Sequence, residues 1–239
     1  YKFLNREKYK KLKNNQLLKN SIDFGWLALP FKSKYGGLDG SITDIMTLIE
    51  VFGNSLSLDP YIFSLLLPGL VIENFCSEEV KKKYLKEIIE GSSFFVFCFA
   101  EPHQRYNFLN IKSTIRIKSD KFFLNGKKNF VIGADKANYI IAPVKDNKNN
   151  ISLFLIKNNK DMYSKIYKTI DDYYAGDYKF QDLELEKSNL LCSIPFNDYA
   201  KKIEYIIDYI TIACCTDALG VIEKMYCLTL DYIKNREQF

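Results

Sequence analysis

Apolar residues recur at helical spacing through the first third of the chain, gather into short dense runs in the middle, and return to helical spacing near the end. Residues 2–19 set Phe3, Leu4, Tyr9, Leu12, Leu17 and Leu18 in a lysine-rich background of good helix formers, which predicts a helix. Residues 20–40 contain Gly25, Pro30, Gly36, Gly37 and Gly40, the composition of an irregular connection with tight backbone packing. Ser41 with Asp44 is a capping pattern, and it opens a helix through Ile45, Leu48, Ile49 and Phe52 to Gly53. Asp59-Pro60 starts a third helix, apolar on nearly every side from Tyr61 to Phe75, with a kink expected at Pro68. Ser77, Glu78 and Glu79 cap a fourth, amphipathic through Val80, Tyr84, Leu85, Ile88 and Ile89 and stopped by Gly91.

From Ser92 the period changes. Runs rich in Phe, Val, Ile and Tyr at 94–99, 111–118, 121–124, 129–132, 138–144, 151–156 and 178–184 predict a β domain of about seven strands. Asp120 and Asn125-Gly126 supply turn chemistry, and residues 146–150 form a polar loop. Beyond Pro195 the helical pattern returns through Ile203, Ile206, Ile207, Ile210, Ala213, Cys214 and Leu219 to Tyr232. Unbroken from Asp198, it would span about 60 Å. The expected domains are thus 1–91 (helical), 92–195 (β) and 196–239 (helical). The chain has no initiating Met and reaches Phe239 without a helix stop signal, so it reads as a fragment.

Composition narrows the function classes. At 239 residues, with 47% hydrophobic and 26% charged residues, the chain is that of an ordinary globular protein. Its formal charge is +5, but the lysines are dispersed and no stripe of Arg and aromatics accompanies them, so nucleic-acid binding is not expected. Six cysteines (Cys76, Cys98, Cys192, Cys214, Cys215 and Cys227) form no C-x-x-C pair and read as reduced residues in a cytoplasmic setting. A single histidine excludes a histidine-rich metal site. The apolar run 60–72 is too short to span a bilayer.

Four motifs stand in order along the chain: Phe24-Gly25-Trp26 with Tyr35-Gly36-Gly37-Leu38, then Ala100-Glu101-Pro102, then Leu124-Asn125-Gly126-Lys127-Lys128, then Arg236-Glu237-Gln238-Phe239. With them the chain resembles the acyl-CoA dehydrogenase family nearly end to end. That resemblance implies an α+β fold: an N-terminal helical domain, a middle β-barrel-like domain and the start of a C-terminal helical bundle. It also implies FAD as cofactor and oxidation of an acyl-CoA thioester across its α and β carbons, with hydride passing to flavin N5. An electron-transfer flavoprotein or similar acceptor, and a homo- or hetero-oligomer active in fatty acid metabolism, follow from the same likeness.

Carried over by position, Phe97, Phe99 and Ala100 would lie along the flavin ring, with Phe130, Val131 and Ile132 on the neighbouring strand. Ala100 and Ile132 stand where the family usually has hydroxyl residues, and Phe130 stands where it has Trp. Each lost hydroxyl contact is worth about 0.5–1.5 kcal/mol. His103-Gln104-Arg105-Tyr106-Asn107 replaces a small, glycine-rich segment, and Glu101-Pro102-x-x-Arg105-Tyr106 is similar to the small subunits of pimeloyl-CoA-type two-subunit dehydrogenases. Arg105 could bind a phosphate of FAD or CoA, or pair with a surface carboxylate. Tyr106 takes the place of a cofactor-bonding Ser and is also a substrate-site candidate, while His103 reads as a loop residue.

Arg236, Gln238 and Phe239 match the segment that reaches a partner subunit's FAD. Phe63 and Leu67 fall where the family floors its acyl cavity, although core packing would also account for them. The usual base follows Arg236-x-Gln238-Phe239, beyond this sequence, and the minority position holds Ile210. No catalytic residue is therefore assigned. The loss of both flavin-edge hydroxyls motivates an alternative, a non-catalytic or flavin-poor subunit of a heteromeric dehydrogenase. A third option keeps the flavin and uses oxygen as the acceptor, as in the related oxidases and monooxygenases.

Overall fold

Helix starts fall where side chains can satisfy the free N–H groups of a first turn. The structure, a computed structural model, describes residues 14–57, 60–102, 104, 105 and 107–237. Helix α1 (Asn14–Asp23) continues four residues past the boundary expected from the sequence, and residues 2–13 of that expected helix lie outside the described residues. Helix α2 (Ile42–Ser55) opens on a capping box: Asp44 N–H donates to Ser41 Oγ at 3.2 Å, and Ser41 N–H donates to Asp44 Oδ2 at 2.9 Å. Such a cap is worth about 1 kcal/mol.

The third helix changes its winding just ahead of Pro68. Its first turn, Ile62–Leu66, is π-helical, and α3 (Leu67–Phe75) continues from it. Leu67 N–H reaches back to Ile62 O. Pro68 has no N–H to donate and its ring crowds the carbonyl four residues earlier, so a widened turn takes up the misfit. Helix α4 (Glu78–Ile89) is capped by Ser77 Oγ, which accepts from Val80 N–H at 3.4 Å, and Gly91 beyond its end has φ +62°.

The strands are β1 (Phe95–Phe97), β2 (Thr114–Lys118), β3 (Lys121–Ile132), β4 (Tyr139–Lys145), β5 (Asn150–Lys157), β6 (Tyr163–Lys168), β7 (Tyr174–Leu185) and β8 (Leu190–Pro195). They form one mixed sheet in the order β6-β7-β3-β2-β4-β5-β8, with β1 parallel to β4. Strands β3 and β5 are three places apart, about 14 Å across a flat sheet. Yet the Phe122 and Phe154 rings meet edge to face at 5.2 Å, so the sheet curls around its core. That core gathers Val96, Ile115, Leu124, Val131, Ile140, Phe154, Tyr178 and Phe180.

Three strand assignments from the sequence need correction. The runs 121–124 and 129–132 are one strand, β3, and Asn125-Gly126 lies within it rather than at a turn. A Cβ on Gly126 would come within 2.2 Å of Ser113 Oγ, so glycine is there for close strand approach. Asn125 Oδ1 accepts from Asp182 N–H at 2.9 Å, bridging the bulge between β3 and β7. Strands β6 and β8 were not expected at all.

Helix α5 (Phe196–Asn235) has the anticipated length but ends before Arg236. By length and composition alone it contains an 18-residue window apolar enough to cross a membrane, a feature absent from the apolar-run reading. Ile203, Ile206, Ile210 and Ala213 on its buried stripe contribute to that apolarity.

The chain divides into two compact units. One takes the residues through 59, 89–91 and 211 onward; the other takes 60–88 and 92–210. In the first, α2 and the later part of α5 cross closely: a Cβ on Gly53 would lie 2.0 Å from Asp217 O, and one on Gly220 would lie 2.0 Å from Glu50 O. Asn54 Nδ2 donates to Glu223 Oε2 across that crossing at 3.2 Å. The second unit holds the sheet, α3 and nearly all of α4, and it carries the site described next.

Candidate functional site

Past β1 the chain changes partners. Cys98 N–H still donates to Ile141 O on β4 at 2.9 Å, but two residues later Ala100 O accepts from Asn129 N–H on β3 at 2.9 Å. The segment Cys98–Ala100 therefore passes from one strand to another. Ala100 N–H meets no acceptor among the described residues.

Opposite it, β3 bulges between Lys128 and Val131. Phe130 there has φ +54°, a left-handed conformation unusual for an aromatic residue, and its side chain is 55% exposed. Asp177 on β7 fixes the bulge: its Oδ1 accepts from Phe130 N–H at 2.9 Å and from the Tyr167 hydroxyl at 3.1 Å. The result is an outward-facing aromatic ring beside a main-chain donor.

The loop after Ala100 hangs on a buried ion pair. Lys128 Nζ donates to Glu101 Oε1 at 2.7 Å, with side chains 0% and 3% exposed, and also to Pro143 O at 2.7 Å. Glu101 accepts three further bonds, from Lys112 N–H, Ser113 N–H and Ser113 Oγ. Burial opposes ionisation of Glu101, but the Lys128 ammonium and these donors outweigh it and hold the carboxyl below its ordinary range. Burial in turn draws the Lys128 ammonium below the usual lysine range, with Glu101 resisting.

Gln104 is the loop's second anchor. Its Oε1 accepts from Glu101 N–H at 2.8 Å, while its buried Nε2 has no partner among the described residues. Arg105 follows with φ +52° and an exposed side chain.

The sequence candidates therefore separate by environment. Phe99, Ala100 and Ile132 are half-buried and Phe130 is exposed, around one junction. Phe97 and Val131 are 3% and 4% exposed, so their side chains have almost no free surface. Phe97 stacks on Phe99 at 5.8 Å, and Phe99 meets Phe108 edge-on at 5.3 Å. On the π-helical turn Phe63 is half-buried, whereas Leu67, which opens α3, is 2% exposed. That turn packs tightly on the end of β3, since a Cβ on Gly133 would come within 2.4 Å of Ser64 Oγ.

Arg236 lies in the other unit, its guanidinium 5.2 Å from the centre of the Tyr232 ring. Tyr106, Gln238, Phe239 and His103 lie outside the described residues. Glu101, Lys128 and Gln104 were not singled out from the sequence as site residues. The Glu-Pro and Gly-Lys-Lys motifs contained the ion pair, but no local spacing links positions 27 residues apart.

Comparison with known proteins identifies the fold. Residues 4–92 match the family model "Acyl-CoA dehydrogenase, N-terminal domain". The chain as a whole has the acyl-CoA dehydrogenase fold. An acyl-CoA dehydrogenase of Bacillus subtilis is 24% identical over 234 residues, covering 94% of this chain and 61% of the relative. Butyryl-CoA dehydrogenase from Megasphaera elsdenii superposes with a TM-score of 0.83 at 22% identity, over 97% of this chain and 63% of that one. A glutaryl-CoA dehydrogenase from Mycobacterium smegmatis, solved in complex with FADH2, superposes with a TM-score of 0.81 at 17% identity, over 94% and 58% respectively. The chain thus spans about three-fifths of the length of these relatives.

Proposed function

We propose that this chain forms the flavin-facing part of an FAD-dependent dehydrogenase that oxidises acyl-CoA thioesters between the α and β carbons. The observation that carries this reading is the β1–β3 junction, where exposed Phe130 lies across from Ala100 N–H, a donor that no described residue accepts. A planar group with apolar faces and acceptor edges suits such a junction, and the orphaned Gln104 Nε2 adds a second donor. FAD, when bound, supplies the acceptor for the substrate's β hydride.

The residues of this chain bind and position. Phe130 offers ring surface, and Phe99, braced by Phe97 and Phe108, borders the same junction. Ala100 N–H and Gln104 Nε2 donate to acceptors on the cofactor, in place of the hydroxyls that Ala100 and Ile132 lack. The Glu101–Lys128 pair anchors the loop that carries Ala100 and Gln104. Arg105 supplies a charge-assisted bond to a cofactor phosphate. Val131 supports the bulge from within the core.

Phe63 limits the acyl site over buried Leu67. Tyr106 completes the proposed cofactor contacts and also touches substrate, while Arg236, Gln238 and Phe239 contact the FAD of a partner subunit. No residue among 1–239 is assigned as the base that takes the α proton. Electron-transfer flavoprotein as acceptor, a cytoplasmic setting and an oligomeric assembly belong to the same reading.

The test is anaerobic mixing of protein made from the complete coding sequence with butyryl-CoA or palmitoyl-CoA. A yellow protein that bleaches with either thioester is expected. Colourless protein that takes up no added FAD would overturn the flavoenzyme reading. It would favour the flavin-poor subunit of a heteromeric dehydrogenase, which the missing hydroxyls at Ala100 and Ile132 support.

A further inference from the structure

Strand β7 carries one residue at which both of its neighbours bulge. On one side β3 pairs Lys128 with Tyr178 and Val131 with Gly176, so Asn129 and Phe130 together face Asp177 alone. On the other side β6 pairs Tyr163 with Tyr178 and Lys165 with Asp177, which makes Ser164 the extra residue. Half-buried Asp177 satisfies groups that a regular ladder would have paired. Its Oδ1 accepts from Phe130 N–H at 2.9 Å and from the Tyr167 hydroxyl at 3.1 Å, and its main-chain O accepts from Ser164 Oγ at 3.1 Å. The second residue of the β3 bulge, Asn129, gives its N–H to Ala100 O at 2.9 Å. The two N–H groups of that bulge thus go to the Asp177 side chain and to the residue after β1 that borders the candidate site.

We propose that Asp177, steadied by Tyr167, is a positioning residue for the flavin seat: its carboxylate, bonded to Phe130 N–H, sets the left-handed turn that aims the Phe130 ring outward. This rests on the flavin reading given above, in which Phe130 offers ring surface to the cofactor. A phenylalanine at φ +54° keeps that conformation only where its surroundings over-determine it. Bulges are also a common way to re-aim one side chain of a strand beside a functional site.

The pair divides the work. Tyr167 donates to the same oxygen that serves Phe130, so β6 and β3 hold the carboxylate between them. Lys165 Nζ lies 5.3 Å from the centre of the Tyr167 ring, a cation set against the phenol that makes this bond. What Phe130 N–H requires is an acceptor at this place and not a negative charge, because a neutral amide oxygen can take both hydrogen bonds. Without that acceptor, residue 130 is released toward an extended conformation. Side chains alternate between faces along an extended strand, so the ring would swing off the seat. Asp177 acts through Phe130, and its loss is read as weaker FAD binding beyond any loss of stability.

The test uses protein made from the complete coding sequence, freed of flavin and titrated with FAD, with the absorption spectrum of the bound flavin and thermal unfolding of the flavin-free form recorded alongside. Asp177→Ala should weaken FAD binding roughly tenfold and move the bound spectrum toward that of free FAD. Asp177→Asn keeps the acceptor and should stay within about twofold of wild type. Tyr167→Phe should weaken binding roughly threefold. On a Phe130→Gly background there is no ring to aim and glycine takes the left-handed backbone unaided, so adding Asp177→Ala should change FAD affinity no further. Wild type that takes up no FAD would overturn the flavin reading and this role with it. Wild type that binds FAD while Asp177→Ala lowers only the unfolding temperature would overturn this role alone, as would an equal loss in Asp177→Asn or in the Phe130→Gly background. If Asp177→Ala does not fold, Tyr167→Phe decides: FAD affinity equal to wild type would overturn the pair.

Discussion

Glu101 and Lys128 share one buried, hydrogen-bonded site, so removing either leaves the other charged and unpaired. Replacing Lys128 with Met should cost about 3–5 kcal/mol in urea unfolding, and Glu101→Leu a similar amount. The double substitution should cost clearly less than the sum, because it removes both charges together. Additive losses would show that the two groups do not interact.

The same pair sets an acid limit. Glu101 is held below the ordinary glutamate value of 4.5 in the folded protein, so the folded state binds its proton less readily than the unfolded chain does. Its contribution to stability is complete above pH 4.5 and is lost as pH falls through the depressed folded value. The urea midpoint of wild type should drop over that acid window, whereas Glu101→Gln should lack that component. An identical acid slope in the variant would contradict the assignment.

Arg105 adds a residue-scale test of the cofactor reading, because its left-handed backbone favours glycine by about 1 kcal/mol. Arg105→Gly should leave thermal stability unchanged or slightly raised while weakening FAD binding roughly tenfold. Unchanged FAD affinity would remove Arg105 from the cofactor contacts.

At the scale of elements, the crossing of α2 with α5 depends on hydrogen at two positions. A methyl group at Gly220 would collide with Glu50 O, and one at Gly53 with Asp217 O, both main-chain atoms that cannot rotate away. Gly220→Ala should therefore lower stability by about 1–3 kcal/mol in thermal or urea unfolding, despite alanine's better helix propensity. A gain in stability would mean that the helices cross more loosely.

Most helices were legible because their caps are local: Ser41 with Asp44, Ser77, and Gly91 each lie within a few residues of the boundary they set. Strands β6 and β8 were not, because both lie at the ends of the sheet and most of their side chains are exposed or half-buried. Such strands carry little apolar alternation. Asn125-Gly126 misled for the opposite reason: its turn-like chemistry serves a bulge against β7 and a close approach to Ser113, 13 residues upstream. In the candidate site, Phe130 and Ala100 could be placed by motif. The Asp177 clamp and the buried ion pair join distant segments and carry no local signature.

At the scale of the molecule, the helical segment through residue 92 and the curled sheet together give the acyl-CoA dehydrogenase fold, over about three-fifths of the length of its relatives. Fold alone does not fix chemistry. What singles out this chain is its β1–β3 junction, proposed as the flavin seat, where Ala100 N–H is left without an acceptor among the described residues. The most direct measurement is the amount of flavin released when the purified protein, made from the complete coding sequence and incubated with FAD, is washed and then heat-denatured. A stoichiometric yield of FAD per chain, falling sharply in Phe130→Asp, is expected. Release of only trace flavin from well-folded wild type, or an equal yield from the Phe130 variant, would contradict the proposed seat between Ala100 and Phe130.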